Sequence, residues 1–240
     1  WFRYPLYTTA FQASFTYQNI GGGGADGMAF VLQNGPFGAD AIGGGGGGLG
    51  FYGISPSVAV MFNIYAGSPG GASGIIVATN GMIYNNGYWP SIYQNTAPVN
   101  FAGGNPVNVT LQYAQNKLQI TLVDTITTAS YTTNVTINLL PYLGSDSAYV
   151  GVTGSEGGFF SHQVVSNLKY TPLPTLQAVR SGPGQVTLQW AGTIYGFRIQ
   201  ASVPGSGTWS DVSGTITANG GFNQITLPAS SSVLFYRLVL

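Results

Sequence analysis

Strict apolar–polar alternation constrains this chain more than any other feature. Phe11, Ala13, Phe15 and Tyr17 fall on one face of an extended segment, as do Val58, Val60, Phe62 and Ile64. Val107, Val109, Leu111 and Tyr113 repeat the pattern, followed by Leu118, Ile120 and Leu122, then Val135, Ile137 and Leu139. A period of two places each set on the buried face of a half-buried strand. No segment sustains the 3.6-residue period of a helix. Ala114–Lys117, containing Asn116, reads as a hairpin turn between two of the runs. Gly-Gly, Asn-Gly and Asn-Pro pairs punctuate the rest. The pattern predicts an all-β chain folded as antiparallel sandwiches.

Charge narrows the classes of partner. Charged residues make up 5% of the chain and the formal net charge is zero, against about 25% charged residues in an average soluble domain. Self-repulsion is therefore weak, and whole faces can lack charge, which predicts association with copies of itself. No basic patch suits nucleic acid. No run reaches the roughly 18 apolar residues of a membrane span. Cysteine is absent, which removes disulfides and thiol chemistry. The chain begins at Trp1 with no charged leader or apolar signal region, and reads as a processed or truncated product. A polar surface of Thr, Asn, Gly and Tyr suits an extracellular or cell-surface setting.

Two apolar runs, Met28–Leu32 and Val58–Tyr65, flank an extreme glycine loop, Gly43–Gly48. An Ala25-Asp26-Gly27 turn leads into the first run, Leu49-Gly50-Phe51 follows the glycines, and Ser57-Val58-Ala59-Val60 opens the second run. In order and spacing this resembles the core of the legume-type (L-type) lectins. The opening segment, Trp1 to Gln18, is similar to bacterial members. Tyr149–Val152, Gly154–His162 and Val164–Tyr170 resemble the end of the lectin domain, with Leu168 where the family has Trp. The resemblance covers residues 1–170. It implies a jelly-roll sandwich, and one or two further strands ahead of the position of Trp1. It departs from the family at Met61, where the family has Glu, and at Asn63, where it has Asp.

Those two departures decide the metal expectation. The family holds calcium and a transition metal through this Glu and Asp plus loop ligands. Hard cations need several oxygen ligands, usually charged. Met61 offers none, Asn63 offers one neutral oxygen, and the loop Ala66–Gly74 has no carboxylate and no His. No metal and no other cofactor is expected. Without that cluster, the cis Ala25–Asp26 peptide typical of the family is expected to be lost.

Asp26 has two readings. The resemblance implies that it accepts hydrogen bonds from sugar hydroxyls, with Gly47, Glu156, Phe159 and Phe160 as neighbours; carboxylates suit vicinal hydroxyls because they only accept. Alternatively, Asp26 simply starts a turn before Gly27. The glycine run is not a phosphate loop, since neither Gly-Lys-Ser/Thr nor a helix follows. Catalysis is poorly supplied. His162 is the one His and reads as a strand-end residue rather than part of a triad with Ser161. Glu156 is the sole Glu, with no second carboxylate near it in sequence, where sandwich glycosidases need a pair. No catalytic residue is assigned. Asn108-Val-Thr and Asn134-Val-Thr form glycosylation sequons.

Thr171-Pro-Leu-Pro174 reads as a stiff linker. The remaining residues, 175–240, carry seven short strand signals, the last at Val233–Leu240. Their GQVTLQW and GFRIQ phrases are similar to fibronectin-III/Ig-like modules of secreted bacterial proteins, with Trp190 and Phe197 as core anchors. The expected function is non-enzymatic and structural or adhesive, a fibre, sheath or matrix of copies; the alternative is a soluble glycan-binding lectin using Asp26 without the metal pair. The resemblance implies that the strand holding Val164, Val165, Leu168 and Tyr170 lacks its usual neighbour. That strand is expected to lie open with no lysine protection, ready to accept a strand from another copy. Val233, Phe235 and Leu238 could donate such a strand, although closing their own domain is the simpler role.

Overall fold

The computed structural model describes residues 1–68, 71–82, 93–192, 196–229 and 233–239. The chain divides into two compact units, Trp1–Pro172 and Leu173–Leu240. The first unit contains β1 (Leu6–Tyr7), β2 (Phe11–Ile20), β3 (Gly27–Gln33), β4 (Ser57–Asn63), β5 (Gly74–Thr79) and β6 (Gln94–Asn95). It continues with β7 (Val107–Ala114), β8 (Lys117–Asp124), β9 (Ser130–Thr136), a short helix α1 (Leu140–Leu143), β10 (Ser147–Ser155) and β11 (His162–Pro172). One sheet has the order β1-β10-β3-β4-β5-β6 and the other β11-β2-β7-β8-β9. All pairings are antiparallel, and the two sheets form a β-sandwich.

The alternating residues meet between the sheets. Phe11, Ala13, Phe15 and Tyr17 from β2 pack with Val58, Val60 and Phe62 from β4, and with Val109, Leu111, Ile120 and Leu122. Phe62 and Tyr17 both stack on Phe101, at 4.9 and 4.1 Å between ring centroids. The β7–β8 turn places Gln115 and Asn116 at φ 52° and 61°, the left-handed pair of a two-residue hairpin. Strands β3 and β4 are buried on both faces. Their outer residues Ala29, Val31, Ala59 and Met61 form a second core with Leu49, Phe51 and Tyr93. The glycine loop therefore works as a lid of backbone, carrying two large side chains down onto a sheet face that would otherwise meet water. Trp1 is partly buried against this same second core, and its indole N–H donates to the Ala41 carbonyl at 2.9 Å.

The structure corrects several expectations. Helix α1 interrupts the all-strand reading: Leu139 is buried beside it rather than extending β9, and Pro141 occupies its first turn. The linker starts later, because Thr171 and Pro172 still pair with Gln12 and Phe11 at the end of β11. Proline is tolerated there, on an edge strand whose outward N–H is not needed.

Strand β11 does lie at a sheet edge, but it is not the unguarded edge expected. Lys169 sits on it, and its register shifts between Ser166 and Lys169 where Asn167 adopts φ 56°. A bulge and a lysine are both devices that blunt edge pairing. Val165, Leu168 and Tyr170 also pack back onto their own core. Tyr170 stacks on Phe11 at 5.0 Å and donates to the Tyr7 carbonyl at 2.6 Å. Val164 pairs with Gln18 and is half-buried.

The second unit holds β12 (Gln177–Gly182), β13 (Gln185–Ala191), β14 (Arg198–Ser202), β15 (Ser210–Asp211), β16 (Thr217–Asn219), β17 (Phe222–Pro228) and β18 (Phe235–Val239). They form sheets of order β12-β13-β17-β16 and β15-β14-β18. Trp190, Leu188, Ile199 and Ile225 are its buried apolar residues. Phe197 is only half-buried, because it precedes β14 and the inward position passes to Ile199. Phe235 and Leu238 belong to β18, paired with β14 of their own unit, while Val233 is 70% exposed ahead of it. Leu240 lies outside the described residues.

Candidate functional site

Asp26 sits where three segments converge: the start of β3, the end of β4 and the loop joining β10 to β11. A side chain on the next residue, Gly27 at φ 133°, would collide with the Phe62 carbonyl, so the strands approach closely only because this position is glycine. The Ala25–Asp26 peptide is cis, contrary to the expectation from the missing metal cluster. Protein groups supply the frame instead. Ser161 Oγ donates to the Ala25 carbonyl at 2.7 Å, the Asp26 N–H donates to the Ser155 carbonyl at 3.1 Å, and the Ile64 N–H donates to the Asp26 carbonyl at 3.0 Å. Gln163 braces the same loop, donating to Ser161 Oγ and to the Ser155 carbonyl.

The Asp26 residue is 9% exposed. Among the described residues, no group donates a hydrogen bond to its carboxylate, and burial pushes its pKa above the usual carboxylate value. Its surroundings are lean. A side-chain carbon on Gly157 would meet Asp26 Oδ2 at 3.1 Å, and one on Gly46 would meet it at 3.9 Å. Gly157 thus keeps that side of the carboxylate clear, while Gly46 stands at ordinary contact distance. Tyr93, 3% exposed, lies near enough for the Asp26 charge to add to the effect of burial in raising its phenol. Phe159 is exposed, its ring 5.8 Å from the half-buried Tyr65 ring. Phe160 is 81% exposed.

The glycine loop is stapled to the β10 end of the site. Ser155 Oγ donates to the Gly46 carbonyl at 2.6 Å, and Thr153 Oγ1 donates to the Leu49 carbonyl at 2.7 Å. Gly46 is the glycine placed beside Asp26, one residue before the expected Gly47, which is half-buried in the same short turn of Gly46–Gly48. Glu156 is exposed, and its carboxylate accepts the Ser161 N–H at 3.2 Å, which closes its own loop. His162 starts β11 opposite Ile20 and is exposed; Ser161 Oγ is turned to the Ala25 carbonyl.

The two positions that depart from the lectin pattern have other work. Met61 is fully buried in the second core. Asn63, 2% exposed, spends its whole amide on the loop that follows β4. Its Nδ2 donates to the Tyr65 and Gly71 carbonyls at 3.0 and 2.8 Å, and its Oδ1 accepts from Ser68 Oγ at 2.9 Å and from the Tyr65 N–H at 3.3 Å. A neutral amide thus ties down the loop through side-chain hydrogen bonds. No cluster of three or more His, Cys, Asp or Glu exists among the described residues. Residues 69 and 70 of this loop lie outside them.

Sequence reasoning missed Gly46, Gly157, Tyr65 and Tyr93. Chemically, the arrangement is an acceptor-only group in a glycine-lined recess, with the half-buried Tyr65 and the exposed Phe159 on loops that flank it. It can receive donors.

No protein-family model matches the chain, and no curated protein sequence does. Solved structures do match. Arcelin-5, a lectin-like defense protein from Phaseolus vulgaris, is 19% identical over 70% of this chain and 75% of its own, with a TM-score of 0.53. Lectin II from Ulex europaeus is 19% identical over 70% and 78%, with a TM-score of 0.51. Lectin I-B4 from Griffonia simplicifolia, in a metal-free form, is 19% identical over 69% and 72%, with a TM-score of 0.53. The likeness is one of fold: the chain carries the sandwich of the legume lectins.

Proposed function

We propose that this is a non-enzymatic, extracellular protein that binds carbohydrate through Asp26 without a metal, and acts as an adhesive or structural component of a surface. The buried carboxylate carries this reading. An ionised group removed from water without a donor is costly, and such groups normally pair, neutralise or meet a ligand. Vicinal hydroxyls of a sugar supply two donors to one carboxylate. The Tyr65–Phe159 pair offers an apolar face beside it, and the lectin fold supports the assignment. Glu156, committed to the Ser161 N–H, leaves no second carboxylate placed for glycoside hydrolysis. The second unit, with seven short strands in sheets of four and three, fits a fibronectin-III/Ig-like module of an exported, bacterial-type protein.

A glycan array probed with and without a chelator tests the reading. Chelator-insensitive binding that Asp26→Asn removes is expected. Absence of binding to any glycan, or binding that the chelator abolishes, would contradict it.

Self-association into a fibre, sheath or matrix is a second reading, supported by the near absence of charge and by β9, a seven-residue uncharged strand at an edge of the first unit. Negative-stain imaging at high concentration tests it, with regular polymers expected and a monodisperse monomer counting against it.

A further inference from the structure

A cavity of about 240 Å³ opens on the outward face of the five-stranded sheet, lined by Ser14, Thr16, Asn108, Thr110, Asn167 and Lys169. The register explains the hollow. Lys169, Ser14 and Thr110 stand in one row across β11, β2 and β7, and Ser166, Thr16 and Asn108 stand in the next. Three residue steps of β11, from Ser166 to Lys169, span two steps of β2, from Thr16 to Ser14. The bulge takes up the difference: Asn167 adopts φ 56°, and Leu168 packs back onto the core. A bulge bends its strand and re-aims the side chains beside it. Here it leaves a recess of hydroxyls and amides with one ammonium. Charge around the recess has a single sign. β2, β7 and β11, which line it, contain no Asp or Glu. The one acid in the whole sheet, Asp124, stands opposite the core-facing Val107 and is 4% exposed. An anionic partner therefore meets Lys169 with no carboxylate on the lining strands to oppose it.

The neutral lining selects the anion further. A bare inorganic anion needs donors alone. The hydroxyls of Ser14 and Thr110 both donate and accept. Thr16 Oγ1 spends its proton on Asn108 Oδ1 at 2.9 Å, which leaves the Thr16 oxygen to accept and the Asn108 amide NH2 to donate. Mixed donors and acceptors match sugar hydroxyls, which are both at once, and the ammonium matches a carboxylate. The volume lies just below the roughly 300–1,000 Å³ of sites for drug-sized ligands, a scale that suits one sugar ring. We infer that this recess binds a hexuronate residue of an acidic polysaccharide, with its carboxylate on Lys169 and its hydroxyls on Ser14, Thr16, Asn108 and Thr110. Asp26 precedes β3 of the other sheet, so this is a second site, and it does not rest on the Asp26 reading.

Calorimetric titration of the full chain with galacturonate, glucuronate and mannuronate oligosaccharides, in EDTA, tests this. Saturable binding to at least one of the three is expected. Its methyl ester keeps the ring but loses the charge, and should bind about 10-fold more weakly or worse. Lys169 is exposed, so Lys169→Gln should keep the circular dichroism spectrum and melting temperature of the parent while weakening binding by about 10- to 100-fold. Thr110→Val removes a hydroxyl and no charge, and should weaken binding by about 3-fold or more. Lys117→Gln, on β8 of the same sheet but outside the recess, should leave binding unchanged. Absence of binding to all three oligosaccharides, equal affinity for the methyl ester, or equal loss in Lys117→Gln and Lys169→Gln would overturn the inference. So would binding that Thr110→Val leaves intact and inorganic sulfate displaces, the behaviour of a site for bare anions.

Discussion

At Asp26, desolvation of a carboxylate with no protein donor sets two expectations of opposite sign. Its pKa is raised in the folded chain. Its contribution to stability is therefore fully present below the unfolded value and is lost as pH rises through the folded value. Asp26→Asn, which removes that titration, should hold or raise the melting temperature at neutral pH while abolishing glycan binding. Melting curves from pH 3 to 8 check this, and a variant that is less stable at neutral pH would contradict it. Glycan binding needs the ionised form, so affinity should fall as pH drops through the raised pKa. Asn63 gives the complementary case. Asn63→Asp restores the lectin carboxylate but cannot donate to the Tyr65 and Gly71 carbonyls. It should destabilise by about 1–3 kcal/mol, with no gain in melting temperature from added calcium. A calcium-dependent rise would show that a metal site had been rebuilt.

Among the elements, the glycine loop matters through what it carries. Leu49 and Phe51 are fully buried against the outer faces of β3 and β4. Phe51→Ala should cost about 3–5 kcal/mol by opening a cavity beneath the loop, measurable by urea unfolding. Gly157→Ala acts differently: its methyl group would reach Asp26 Oδ2 from an exposed loop. It should weaken glycan binding with little change in melting temperature, a split that a merely structural glycine would not produce. Alternation made β2, β4, β7 and β8 legible, because one face of each meets the core. It could not reveal that the outer faces of β3 and β4 are buried too, since the covering side chains come from a loop. Helix α1 is too short to show a period, and the β11 bulge depends on Asn167 taking a left-handed turn that composition does not announce. Within the site, Asp26 was legible from its Ala-Asp-Gly setting. Gly46, Gly157, Tyr65 and Tyr93 were not, because the strand order, rather than local sequence, delivers them to the carboxylate. The cis peptide is not legible locally because the bracing groups, Ser155 and Ser161, lie far along the chain, on the connection between the two sheets.

For the whole molecule, the few charges are unevenly divided. The first unit holds Arg3, Lys117 and Lys169 against Asp26, Asp40, Asp124, Asp146 and Glu156; the second holds Arg180, Arg198 and Arg237 against Asp211. Contacts between unlike units of neighbouring copies would therefore be electrostatic, and would fade once salt shortens the screening length to a few ångströms. Edge pairing between copies would rely on backbone hydrogen bonds and uncharged side chains instead, and should persist in 1 M NaCl. Sedimentation in low and high salt separates the two modes. If the carboxylate recess of this sandwich binds sugar without a metal, with an amide at Asn63 where the lectin ligand would be, Asp26 must carry the binding alone. Calorimetric titration of the best array glycan, in EDTA, against the parent chain and Asp26→Asn tests it most directly. A saturable isotherm is expected for the parent, unchanged by EDTA, and none for the variant. Equal binding by both proteins, or binding restored only by added calcium, would contradict it.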